Sequence, residues 1–94
     1  MSTIYKYQLE TTDNQIIYMP KNADILTVQV QNINMKQVPC LWAMVNTDNI
    51  SKGYKIRIIG TGHEIEEDFE GKYIGTYQLT ELSEVLVFHV FQIF

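Results

Sequence analysis

The sequence predicts one all-β domain over residues 1–94, a compact antiparallel β-sandwich or partly open barrel of about seven strands. Three observations carry this. No stretch holds the helical apolar period of about 3.6 residues for three turns. β-Branched and aromatic residues dominate the apolar positions, which suits a pleated surface. Alternating runs recur along the chain, separated by turn chemistry.

The first run is Ile4 to Glu10, with Tyr5, Tyr7 and Leu9 alternating against Lys6, Gln8 and Glu10. Thr11 to Asn14 is a turn of side chains that bond their own backbone. Gln15 to Met19 then returns, so these two runs are expected to form a β-hairpin, ended by Pro20 to Asp24. Ile25 to Asn32 sets Leu26, Val28 and Val30 against Thr27, Gln29 and Gln31, and Asn32 to Gln37 reads as a polar connection. Val38 to Asn46 is apolar on both faces: Leu41, Ala43 and Val45 against Cys40, Trp42 and Met44. Such a strand is central in its sheet, or has its second face covered by another subunit. After a loop from Thr47 to Gly53, Tyr54 to Ile59 places Tyr54, Ile56 and Ile58 opposite Lys55, Arg57 and Ile59. Gly60-Thr61-Gly62-His63 closes that strand, and Glu64 to Gly71 is an acidic loop. Tyr73 to Leu79 and Val85 to Phe94 form a last hairpin across Thr80 to Ser83.

Composition narrows the function. The net charge of −4 argues against a nucleic-acid polymer as partner, because such a surface needs basic patches. It leaves room for one small anion, which needs only a few donors. Cys40 is the single cysteine, so no internal disulfide forms and a reducing cytosol is expected. The longest apolar run is broken by His89 and is too short to span a bilayer, so neither secretion nor a membrane is expected. A domain this small covers its apolar surface with little to spare. Apolar density on both faces of Val38 to Asn46, with an aromatic C-terminal strand, therefore predicts a homo-oligomer.

Gly60-Thr61-Gly62-His63 is the sharpest local feature. Its glycines allow a tight turn that presents N–H groups to an anion, with Thr61 and His63 as added donors. The same residues also suit a plain strand-ending turn. Arg57, the only arginine, lies three residues earlier and pairs bidentately with phosphate or carboxylate. It equally suits an ion pair with one of the many acids. Trp42 is a stacking platform or a core residue, and Tyr73 is a further candidate platform. Cys40 has no activating neighbour and is expected to be inert. No metal-ligand spacing, calcium loop or catalytic constellation stands out, so neither a cofactor nor a metal site nor catalysis is expected.

Ile4 to Leu9 (IYKYQL), Ile25 to Asn32 (ILTVQVQN), Pro39 to Val45 (PCLWAMV), Gly60 to His63 (GTGH), Tyr73 to Leu79 (YIGTYQL) and Leu86 to Phe91 (LVFHVF) together resemble a family of very small proteins of tailed phages and prophages. The chain departs from it in a longer connection at Ile33 to Gln37 and in ending Gln92-Ile93-Phe94. Phage proteins of this kind are associated with viral sponges, which hold cyclic-nucleotide signals of the CBASS and Thoeris defences without cleaving them. The resemblance implies a homo-oligomer in the host cytosol with nucleotide pockets at or near subunit interfaces, and assigns no residue roles. For such a ligand the sequence offers Tyr5, Tyr7, Trp42, Tyr54, Tyr73 and Tyr77 as platforms for bases. Arg57, Lys55, Thr61, His63 and the Gly60 and Gly62 backbone are the phosphate donors. The other readings are a protein–protein module that inhibits a host protein and a small virion accessory protein.

Overall fold

The computed structural model describes residues 1–94 as seven strands with no helix, and so none that could cross a membrane. The strands are β1 (Ser2–Gln8), β2 (Asn14–Pro20), β3 (Asp24–Ile33), β4 (Lys36–Asn46), β5 (Ser51–Gly60), β6 (Lys72–Glu81) and β7 (Glu84–Ile93). They form two antiparallel sheets, one ordered β1-β4-β3 and the other β2-β5-β7-β6.

β4 is central in its sheet, as its apolar faces require. Leu41, Ala43 and Val45 turn inward and are fully buried; outward, Cys40 is buried, Trp42 half-buried and Met44 exposed. Lys6 Nζ donates to Gln31 Oε1 at 2.8 Å, so a polar bridge from β1 to β3 crosses β4 near Cys40. Burial pushes the Cys40 thiol up, which favours its protonated form.

One part of the core gathers Leu9, Val28, Leu41, Ile56, Ile58, Tyr77 and Val90. A second gathers Met19, Ala43, Val45 and Tyr54, and Tyr7, Ile17 and Ile25 pack against both. Tyr54 and Tyr77 are therefore structural. The hydroxyl of Tyr54 donates to the Pro20 carbonyl and accepts from the Ala23 N–H, while that of Tyr77 meets Thr11 Oγ1 at 2.8 Å. Neither ring is available to stack on a ligand.

The hairpin expected between the first two runs does not form. β1 pairs with β4 and β2 with β5, so the intervening turn crosses between sheets. The Leu9 N–H bonds the Pro39 carbonyl of one sheet, and the Asp13 carbonyl accepts from Ile58 of the other. Facing the two runs across the core buries Tyr7 and Leu9 against Ile17 and Met19, which a flat hairpin would not.

The alternation read for β3 also changes. A bulge between Ile25 and Thr27 turns Ile25 inward, opposite Ala43, and leaves Leu26 exposed. The connection after it is no loop: Asn34 and Met35, both in the left-handed region, join β3 directly to β4. The last hairpin forms as expected, turning at Leu82 and Ser83, again left-handed.

β3 and β6, one edge from each sheet, close against each other. Beside them Gln37, at the start of β4, donates from Nε2 to the Thr80 carbonyl at 2.8 Å and accepts at Oε1 from the Thr80 N–H at 2.9 Å. Further along, a Cβ on Gly75 would lie 2.9 Å from Val28 Cγ1. Gly75→Ala is therefore expected to cost about 1–3 kcal/mol by overpacking. Because Val28→Ala removes the obstructing methyl, the double substitution should cost less than the two single changes added together. Urea unfolding of the four proteins in a double-mutant cycle measures this, and simple additivity would contradict it.

Candidate functional site

The outer face of the four-stranded sheet collects most of the chemistry-bearing side chains. Register places Asn14, Ile16 and Tyr18 of β2 opposite Arg57, Lys55 and Gly53 of β5. Lys55, Arg57 and Ile59 lie in turn opposite Ile93, Phe91 and His89 of β7. Tyr73 and Thr76 of β6 complete the row beside Phe91 and His89.

The acidic loop covers one half of this face. Arg57 forms a bidentate pair with Glu66, Nη2 to Oε1 at 2.6 Å and Nη1 to Oε2 at 3.2 Å. The guanidinium also lies over the Phe69 ring, 5.6 Å from its centroid. Phe69 and Tyr73 both meet Phe91 edge-on, with centroids 5.2 Å and 5.6 Å away. Gly71 lets the loop lie this close, since a Cβ there would fall 2.9 Å from the Phe69 ring and 3.0 Å from Ile93. Of the two roles open to Arg57, the ion pair is the one it takes here, and an external anion would have to displace Glu66 to reach it.

A chain of hydroxyls crosses the same half. Thr61 Oγ1 lies 2.7 Å from His89 Nε2, His89 Nδ1 lies 3.0 Å from Thr76 Oγ1, and Thr76 Oγ1 lies 2.5 Å from the Tyr73 hydroxyl. The Thr61 hydroxyl donates to the Val87 carbonyl, so it accepts from His89 Nε2–H. Nδ1 then accepts from Thr76, which accepts from Tyr73; these proton positions are assigned from the network.

The Gly60–His63 turn is divided between two surfaces. Thr61 joins the outer face, whereas the His63 ring folds back over Gly60, where an added Cβ would fall 2.9 Å from it. There it borders a cavity of about 210 Å³ at the end of the sandwich, with Ile58 and Phe88. Gly62 turns the chain at a φ of 86°. The structure thus brings Arg57, Thr61 and Tyr73 to one face, sends His63 to the end of the sandwich, and leaves Trp42 on the outer face of the opposite sheet.

The other half of the face is open. A groove of about 510 Å³ is lined by Asn14, Gln15, Ile16, Lys55, Ile56 and Ile93. A second concavity, of about 320 Å³ at the end of the sheet, shares Lys55 and Ile93 and adds Gly53, Phe94 and Lys52, which stands on the Tyr54 side of β5 with its Nζ 5.4 Å from that ring's centroid. Lys55 and Lys52 are exposed and form no ion pair. Tyr18, at 68% exposure, lies beside Ile16 against Gly53, where a Cβ would crowd both side chains. Alternation along β5 was the only sign that Lys55 belongs here. Nothing in the sequence singled out Ile16, Ile93 or Lys52 as its neighbours. No group of three or more His, Cys, Asp or Glu side chains comes together in the fold.

One protein-family model, described as a domain of unknown function (DUF7352), matches residues 1–93. The chain belongs to the DUF7352 family. Comparisons with curated proteins and with solved structures found no match. Membership in DUF7352 brings no chemistry, so the groove and the covered half are read from their own residues.

The hydrogen bonds from Arg57 hold the Glu66 carboxyl below the usual glutamate range. A lowered carboxyl stabilises fully above its unfolded pKa of about 4.3 and loses that contribution as pH falls through the folded value. The acidic loop is therefore expected to stay docked through the ordinary glutamate range and to release only as pH falls through the lower folded value. Phe69–Phe91 cross-peaks in NMR spectra taken against pH measure this. Glu66→Gln should remove the step, and a step at or above the ordinary value, or one unchanged in Glu66→Gln, would contradict the assignment.

Proposed function

We propose that this chain is a phage-encoded binding protein that sequesters a cyclic nucleotide or dinucleotide in the host cytosol, holding it on the open half of the four-stranded sheet without cleaving it. The observation that carries the reading is the unpaired Lys55 between Ile16 and Ile93, in a groove whose volume of about 510 Å³ suits a small organic ligand. A planar base gains from the apolar walls and from the exposed Phe94 ring. The phosphate gains from Lys55 and Lys52, in a chain otherwise dominated by acids. A buried, lone Cys40 fits a reducing compartment. The sole imidazole on this face is oriented at Nδ1 by a neutral hydroxyl, where a triad would place a carboxylate.

Calorimetric titration with a panel of cyclic mono- and dinucleotides tests the proposal. A charge-assisted hydrogen bond is worth about 1.5–3 kcal/mol, so Lys55→Gln should weaken binding roughly ten- to a hundredfold. The melting temperature should barely move, because Lys55 is exposed and unpaired. Trp42→Phe, on the far sheet, should bind as the wild type does. The ligand should be recovered intact after long incubation. Absence of binding across the panel, or equal affinities for wild type and Lys55→Gln, would overturn the reading.

A further inference from the structure

The sandwich has four sheet edges. β3 and β6 close on each other through Gly75 and Val28, and Gln37 of β4 bonds Thr80 of β6 alongside them. β1 carries Lys6 in mid-strand, a common guard against pairing with another chain. β2 bears no charge from Asn14 to Pro20 and pairs only with β5, and its one guard, Pro20, stands at the end of the strand and leaves Ile16 to Tyr18 open.

The backbone of β2 shows which groups are free. Ile58 N–H bonds the Asp13 carbonyl, and Lys21 N–H bonds the Ile50 carbonyl. The register between β2 and β5 is unbroken, so the odd-numbered residues of β2 exchange the ladder bonds with β5. The N–H and C=O groups of Ile16 and Tyr18 therefore point away from the sheet. The side chains of the same two residues stand exposed on its outer face, 53% and 68% accessible.

From this pattern we infer that β2 pairs with β2 of a second copy of this chain, antiparallel about a two-fold axis at Ile17, joining the two four-stranded sheets into one. In that register Ile16 of each copy lies opposite Tyr18 of the other, and all four free groups of each pair of residues are used. Asn14 falls opposite Pro20. Proline has no N–H to give, and the Asn14 carbonyl already accepts from the Thr12 hydroxyl at 3.4 Å, so the one missing donor meets an acceptor that has a partner. The Asn14 N–H faces the Pro20 carbonyl, which already accepts from the Tyr54 hydroxyl and the Ala23 N–H, so the strand is complementary to itself over Ile16 to Tyr18. The apolar Ile16 and Tyr18 side chains pack across the joint, and Ile16 of each copy also lines that copy's groove. The pairing does not depend on which ligand the groove takes.

Sedimentation of the full chain, paired with amide hydrogen exchange, tests this. The wild type should be a dimer at micromolar concentration, with slowly exchanging Ile16 and Tyr18 amides. Ile16→Lys combined with Tyr18→Lys sets like charges directly opposite one another. This protein should sediment as a monomer with an unchanged circular-dichroism spectrum, and Ile4→Lys on the β1 edge should remain a dimer. A monomeric wild type, rapid exchange at Ile16 and Tyr18 in the wild type, or a dimer lost through Ile4→Lys would overturn the inference.

Discussion

The pairing of Arg57 with Glu66 decides what the rest of the molecule can offer. An exposed ion pair is usually worth little, at most about 1 kcal/mol. This one differs in geometry, because it is bidentate and Arg57 is only 18% exposed. It also acts with apolar contacts, since the same loop delivers Phe69 onto Phe91 under the guanidinium. Together they fix a loop rich in carboxylates over half of a sheet whose other half is basic and apolar. The pair holds Glu66 on the Arg57 half of the face, and Lys55 on the other half forms no ion pair.

The fold explains why such a face exists. β5 sits inside the four-stranded sheet, so Tyr54, Ile56 and Ile58 fill the core while Lys55, Arg57 and Ile59 must face outward between two strands. Flanking strands supply Ile16 and Ile93 beside Lys55, and Phe91 beside Arg57. A cation thus stands in an apolar setting at two successive outward positions. One is covered from within the chain, and the other is left open.

Much of this was legible in the sequence, where the signal was local alternation. The double-faced apolar run predicted a central β4, and the Tyr54–Ile59 pattern predicted which residues of β5 turn outward. The last hairpin followed from its turn. What was lost depends on long-range choice. Sequence neighbours suggested pairing of the first two runs, but both have apolar faces that the core can bury only by setting them on opposite sheets. A single bulged residue exchanged Ile25 for Leu26, and no local pattern marks it. Arg57 had several acids within reach, and only the path of the loop over Phe91 selects Glu66. The Gly60–His63 motif was visible as a turn, but its division between two surfaces follows from the inward side of Gly60, which His63 fills.

Binding on the open half of the four-stranded sheet, as proposed, is directly measurable. Amide chemical-shift mapping during titration with the tightest-binding cyclic nucleotide tests it most directly. Shifts are expected to concentrate at Ile16, Gly53, Lys55 and Ile93, with Trp42 and the strands around it silent. Shifts centred on Trp42 and its sheet, or on His63 and the end of the sandwich, would contradict it.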